Sequence, residues 1–113
     1  MKMFKYLVLT IAFIASMPPS AFAGSVSGAK IISVLAAEAD AFFITVNLPN
    51  VGSPGCAVVP GRWVVRTSTA SGKAMIATAL SAMALNQTVY IYGKGVCEVW
   101  GDTETINYLI VSP

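Results

Sequence analysis

The acidic pair in "GDTE", Asp102 and Glu104, is the first place in this sequence to look for chemistry. Two carboxylates on either side of a bond can divide acid and base roles between them, which gives a small carboxylate-dependent hydrolase as one reading. A solvated acidic turn is the plainer alternative. The chain has no histidine, so Ser-His-Asp and Cys-His nucleophiles and His-bearing metal sites are excluded. Cys56 and Cys97 alone cannot complete a four-ligand zinc site, and no metal or cofactor is expected.

Two lysine motifs fail on their surroundings. "SGKA" places Gly72 and Lys73 as a phosphate loop would, but Thr67 stands where the first glycine belongs and Ala74 where the metal-binding hydroxyl belongs. "SGAK", Ser27 to Lys30, has the S-x-x-K spacing of serine acylases, yet it opens a strand and has no companion motifs. The "NQT" at 86–88 is a glycosylation acceptor only in a eukaryotic secretory pathway, and it is set aside.

The compartment follows from the first 23 residues. "MKMFK" is a short basic start, "YLVLTIAFIASM" an apolar run and "PPSAFA" a small-residue cleavage signal, so residues 1–23 read as a signal peptide cut after Ala23. The apolar run is shorter than the roughly 20 residues a membrane span needs, and Pro18 and Pro19 follow it. Residues 24–113 then form one small domain, exported to the periplasm or beyond, with no membrane span. Its charges balance: Lys30, Arg62, Arg66, Lys73 and Lys94 against Glu38, Asp40, Glu98, Asp102 and Glu104. Without a basic excess, a nucleic-acid partner is not expected. Export also allows Cys56 and Cys97 to pair, closing a loop worth about 4 kcal/mol on the chain-entropy model.

The elements that position these residues are mostly strands. "AKIISVLA" (29–36) and "FFITVNL" (42–48) flank a polar "AEAD" turn, with Phe42, Ile44, Val46 and Leu48 on one face and Phe43, Thr45 and Asn47 on the other. "PNVGSPGCAVVPG" (49–61) is a long loop. "RWVVRT" (62–67) puts Trp63 and Val65 toward the core and Arg62, Val64 and Arg66 away from it. A helix over 68–86 should bury Ile76, Leu80 and Met83. "TVYIYG" (88–93) and "TINYLIV" (105–111) are further strands, with "CEVW" (97–100) in or beside the sheet. The fold class is therefore mainly β with one helix. Five strands with the helix between the third and fourth is the order of an OB-fold Greek-key barrel, a fold that binds oligosaccharides as well as oligonucleotides.

On that assignment the helix has a second face of Ala74, Ala77, Thr78, Ser81 and Leu85, almost without charge. Solvent-facing helices usually carry charges. The face is either buried in its own domain or an interface between copies.

"VSGAKIISV", the segment 71–87 and "VYIYGKG" resemble the first strand, central helix and following strand of B subunits of secreted bacterial toxins of the subtilase cytotoxin and typhoid toxin type, and of related small exported proteins. The resemblance implies an OB-fold homopentamer with its helices lining a pore, outer surfaces that bind sialylated or related glycans, and a separate A subunit carrying any catalysis. It matches Ser27 and Tyr92 to glycan-binding positions. The cysteine placement and the final "CEVWGDTETINYLIV" depart from the toxin pattern. The expected function is a non-enzymatic, oligomeric glycan-binding subunit. The alternative is a monomeric periplasmic structural or inhibitory protein that binds another protein through 49–61.

Overall fold

The computed structural model describes residues 22–113, so the expected leader lies outside the described residues except for Phe22 and Ala23. The described chain is mainly β. Its elements are β1 Ser25–Ala29, β2 Ile31–Ala37, β3 Ala41–Val46, β4 Arg62–Arg66, α1 Ala70–Ala84, β5 Thr88–Gly93 and β6 Glu104–Ser112. The strands form one mixed sheet in the order β1-β5-β6-β4-β3-β2. Every pairing is antiparallel except β4 with β6, which is parallel over Trp63↔Glu104 and Val64↔Thr105.

The expected count of five strands is corrected to six, because the segment expected as one strand over 29–36 starts earlier and is broken at Lys30. A register shift between Val26 and Ala29 marks a bulge, and Gly28 takes φ 68 there, a conformation that costs glycine nothing. At the break, Lys30 N–H donates to Asn47 Oδ1 at 2.8 Å and Asn47 N–H donates to the Lys30 carbonyl at 3.0 Å. β1 then runs on to β5 and β2 to β3, so the two ends of the sheet order are neighbours in sequence. "CEVW" lies beside the sheet outside the named strands, apart from an isolated bridge of Trp100 to Thr103.

The main core contains Phe42, Ile44, Val46, Trp63 and Val65 as their alternation predicts, joined by Val26, Val89, Ile91 and Ile106. Leu48, expected on the same face, lies beyond the end of β3 and is 39% exposed. Val64, expected to face away, is also buried, because β3 and β4 are covered on both sides: Ala41, Phe43 and Val64 form a second cluster with Ala37 and Val99. Cys56 and Cys97 are disulfide-bonded, with Cα atoms 6.3 Å apart, which anchors the covering segment.

The helix presents a different face from the expected one. Gly72, Ala79 and Ala82 are its buried residues, with Met75 and Ile76 packed partly against the core. Leu80 and Met83, expected inside, are 44% and 39% exposed. Close approach explains the choice: a Cβ on Gly72 would sit 1.8 Å from the Arg66 carbonyl oxygen, so only a small residue fits at that contact. Thr69 caps the helix, its hydroxyl accepting from Gly72 N–H at 2.9 Å.

Candidate functional site

Alternation along β5 and β6 separates two kinds of side chain. Val89, Ile91 and Ile106 enter the core, and Leu109 and Val111 pack partly against it. Tyr90 and Tyr92 fall on the opposite face by the period-two pleat, and Tyr108 and Ile110 join them because the register shift between Tyr92↔Tyr108 and Gly93↔Ile106 passes over Asn107 and resets the alternation of β6. The register then sets Tyr92 directly across from Tyr108 and Tyr90 across from Ile110. The two facing rings stack, with centroids 4.6 Å apart and planes at 19°. Tyr108 remains 47% exposed and Ile110 48%, so this aromatic and aliphatic strip is open to solvent.

On the far side of β5, Ser25 pairs with Tyr92, extending the row to serine, tyrosine, tyrosine across three strands. Ser27, the residue expected to share a sugar site with Tyr92, is exposed and lies next to the Gly28 bulge. It lines a groove of about 340 Å³ with Ser25, Val26, Leu48, Pro49 and Val51, and Tyr92 is not among the groove's lining residues. The structure therefore places Ser25 in register with the tyrosine pair and turns Ser27 toward an adjoining groove. On the opposite flank Tyr108 borders a groove of about 290 Å³ against α1, lined by Ser71, Ala74, Met75, Thr78 and Leu109.

All five residues of the expected interface face are exposed: Ala74, Ala77, Thr78, Ser81 and Leu85. Ala74 and Thr78 share the groove with Tyr108, while Ala77, Thr78 and Ser81 line another with Gln87 and Val111. With Leu80 and Met83 also turned outward, the open helix surface is larger and more apolar than expected.

A cleft of about 310 Å³ with mixed walls lies where β4 and β6 part beyond their short parallel pairing, and Arg66, Lys94, Glu98, Asn107, Met75 and Ile106 are among its lining residues. Its charges are largely paired, Lys94 with Glu98 at 3.3 Å and Arg66 with Asp40 at 3.5 Å. Asp40 is a hub missed by the sequence reading. Its carboxylate accepts from Thr67 N–H at 2.9 Å and Oγ1 at 2.8 Å, and from Ser68 N–H and Oγ at 2.7 Å each. The Ser68 hydroxyl first, then that of Thr67, lowers its pKa to about 2.

The carboxylates weighed as a catalytic pair against a solvated acidic turn are held by separate partners. Asp102 bonds Arg62 Nη2 at 2.6 Å and the Thr103 hydroxyl at 2.9 Å, and that hydroxyl, followed by desolvation acting the other way and the Arg62 charge, leaves its pKa below the ordinary value. Glu104 is fully buried, accepting from Gly24 N–H at 3.1 and 2.9 Å and from Gly95 N–H at 2.8 Å. Among the described residues there is no cluster of three or more His, Cys, Asp or Glu that could hold a metal, and no helix long and apolar enough to cross a membrane.

Comparison with protein-family models, with curated proteins and with solved structures finds no match to this chain.

Tyr108 was not singled out in the sequence although it lies in a strand correctly expected over 105–111. Alternation in "TINYLIV" groups Tyr108 with Ile106, and only the register of β5 against β6, with its shift past Asn107, turns Tyr108 to the face of Tyr92.

Proposed function

We propose that this protein is an exported, non-catalytic glycan-binding subunit that recognises sugar on the tyrosine strip of β5 and β6. The observation that carries this reading is the stacked Tyr92–Tyr108 pair, with Tyr108 half exposed and Tyr92 partly buried, bordered by serine hydroxyls and two grooves. A sugar ring offers an apolar C–H face to an aromatic ring and hydroxyls to Ser and Tyr O–H groups. Ser25 and Ser27 supply hydroxyls on the β1 side, and Ser71 and Thr78 on the helix side. The barrel is of the OB type, with β1 and β2 as one strand bent at the Gly28 bulge and Lys30. Support for that comes from the order of the sheet, whose terminal strands are consecutive in the chain.

Copies associate through the uncharged face of α1 into a ring, a homopentamer on the toxin pattern, and a separate A subunit supplies any catalysis. Exposure of Leu80, Met83 and Leu85 on a helix without acidic residues in its first turn or basic residues in its last supports an interface there. The second reading, a monomer that binds another protein through 49–61, is favoured by the exposed Val51 and Val58 of that loop.

The test is retention of the mature protein on immobilised oligosaccharides, sialylated and neutral, beside native mass spectrometry. Retention that falls at least about tenfold in Tyr92→Ala and Tyr108→Ala, with folding intact, is the expected result. Retention unchanged in both, or absent from every glycan, rejects the sugar site. A monomer at all concentrations favours the loop reading.

A further inference from the structure

Glu104 is a fully buried carboxylate on β6, and no Lys or Arg among the described residues pairs with it. An uncompensated buried charge is strongly unfavourable. The space around it is nevertheless shaped for a carboxylate. A Cβ on Gly93 would lie 1.8 Å from Oε2 and one on Gly24 would lie 2.5 Å from Oε1, so the carboxyl group fills the space that a side chain at either glycine would need. The nitrogen of Gly24 addresses both oxygens at once, at 3.1 and 2.9 Å. A peptide nitrogen has a single hydrogen to divide between them. An ammonium has three, one for each oxygen and one to spare.

Gly24 is also the residue that the small-residue signal "PPSAFA" makes the first of the mature chain. We infer that Ala23–Gly24 is the processing site and that the new α-ammonium of Gly24 is the missing counter-ion of Glu104. Leader removal hydrolyses the Ala23–Gly24 peptide bond: water gives its hydroxyl to the Ala23 carbonyl carbon and a hydrogen to the Gly24 nitrogen, and the acid's proton passes to the amine. The products are a carboxylate on the departing leader and an ammonium in contact with Glu104. Gly24 is otherwise fixed, its carbonyl accepting from Gly93 N–H at 2.8 Å, so the charge appears where its partner already is. The fold therefore reaches full strength only after cleavage, and the precursor stays easier to unfold while it is being exported.

This inference rests on the export part of the proposed function and is independent of the glycan site. Its test exports the full chain, determines the first residue of the product by intact-mass spectrometry, and compares urea unfolding of that product with the same chain acetylated at the Gly24 nitrogen. Gly24 should be the first residue, and acetylation should lower the folding equilibrium constant about tenfold or more. Glu104→Gln should make acetylation silent. If that variant does not fold, a chain starting at Ala23, which moves the charge by one residue, should lose as much as the acetylated one. A different first residue after cleavage overturns the inference alone, and an uncleaved product overturns the export reading with it. Equal stability of free and acetylated chains, or an acetylation effect that persists in Glu104→Gln, also overturns it.

Discussion

The sheet has two outer aromatic surfaces with opposite fates. Over β3 and β4, Phe43 meets Trp100 edge to face at 5.0 Å, and the Arg62 guanidinium sits 4.9 Å from the Phe43 ring centre. Phe43, Ala41 and Val64 are buried there, with Val99 packed against them. Over β5 and β6, Tyr92 and Tyr108 stack on each other, Tyr92 partly buried and Tyr108 half exposed. The difference lies in residues 97–100, which are held across the first surface by the bond from Cys97 to Cys56. Aromatic content alone does not make a surface core. A covalently fixed cover does.

Removing the cover is the largest perturbation. The double variant Cys56→Ser, Cys97→Ser should lose about 4 kcal/mol of stability in urea titrations, with Trp100 fluorescence shifting toward that of an exposed indole. A loss below about 1 kcal/mol would mean that the covering segment holds its place without the bond. Next in size, Phe43→Ala on the covered surface should cost about 3 kcal/mol, as for a buried aromatic. Tyr108→Ala on the open surface should cost under about 1 kcal/mol in the same assay. Similar losses at the two positions would erase the contrast between the surfaces.

The smallest effect concerns the turn between β2 and β3. The Asp40 carboxyl is held at about 2 against an ordinary 3.8 by the Ser68 and Thr67 hydroxyls. A depressed carboxylate pKa contributes stability that is fully present above 3.8 and is lost as the pH falls through about 2. Asp40→Asn should therefore flatten the acid limb of the stability curve between those values and leave the tyrosine strip unaffected. An unchanged acid limb would show that the hydroxyl network does not favour the ionised form.

Alternation made much of the strand content legible. "FFITVNL" and "RWVVRT" each show a two-residue period with one strongly apolar face, and Phe42, Ile44, Trp63 and Val65 are buried accordingly. The break at Lys30 was not legible, because Gly28 in a β-branched run signals a bulge only once the pairing of both halves is known. The helix misled for a physical reason: side-chain size favours burying Leu80 and Met83, whereas the tight approach at Gly72, Ala79 and Ala82 favours small residues. At the candidate site Tyr92 was reached through a family resemblance, and its partner Tyr108, separated by 16 positions in sequence, depended on register. The cradle around Glu104 was hidden because it assembles Gly24, Gly93 and Gly95 from separate parts of the chain.

The most direct test of the central claim is NMR titration of the oxidised mature protein with sialylated and neutral oligosaccharides, following amide and aromatic shifts on both surfaces. Saturable shifts at Tyr92, Tyr108 and the neighbouring Ser25 and Ser27, with Phe43 and Trp100 unmoved, are the predicted result. Shifts confined to residues 49–61, or none with any sugar, would contradict the assignment of the open tyrosine strip as the recognition surface.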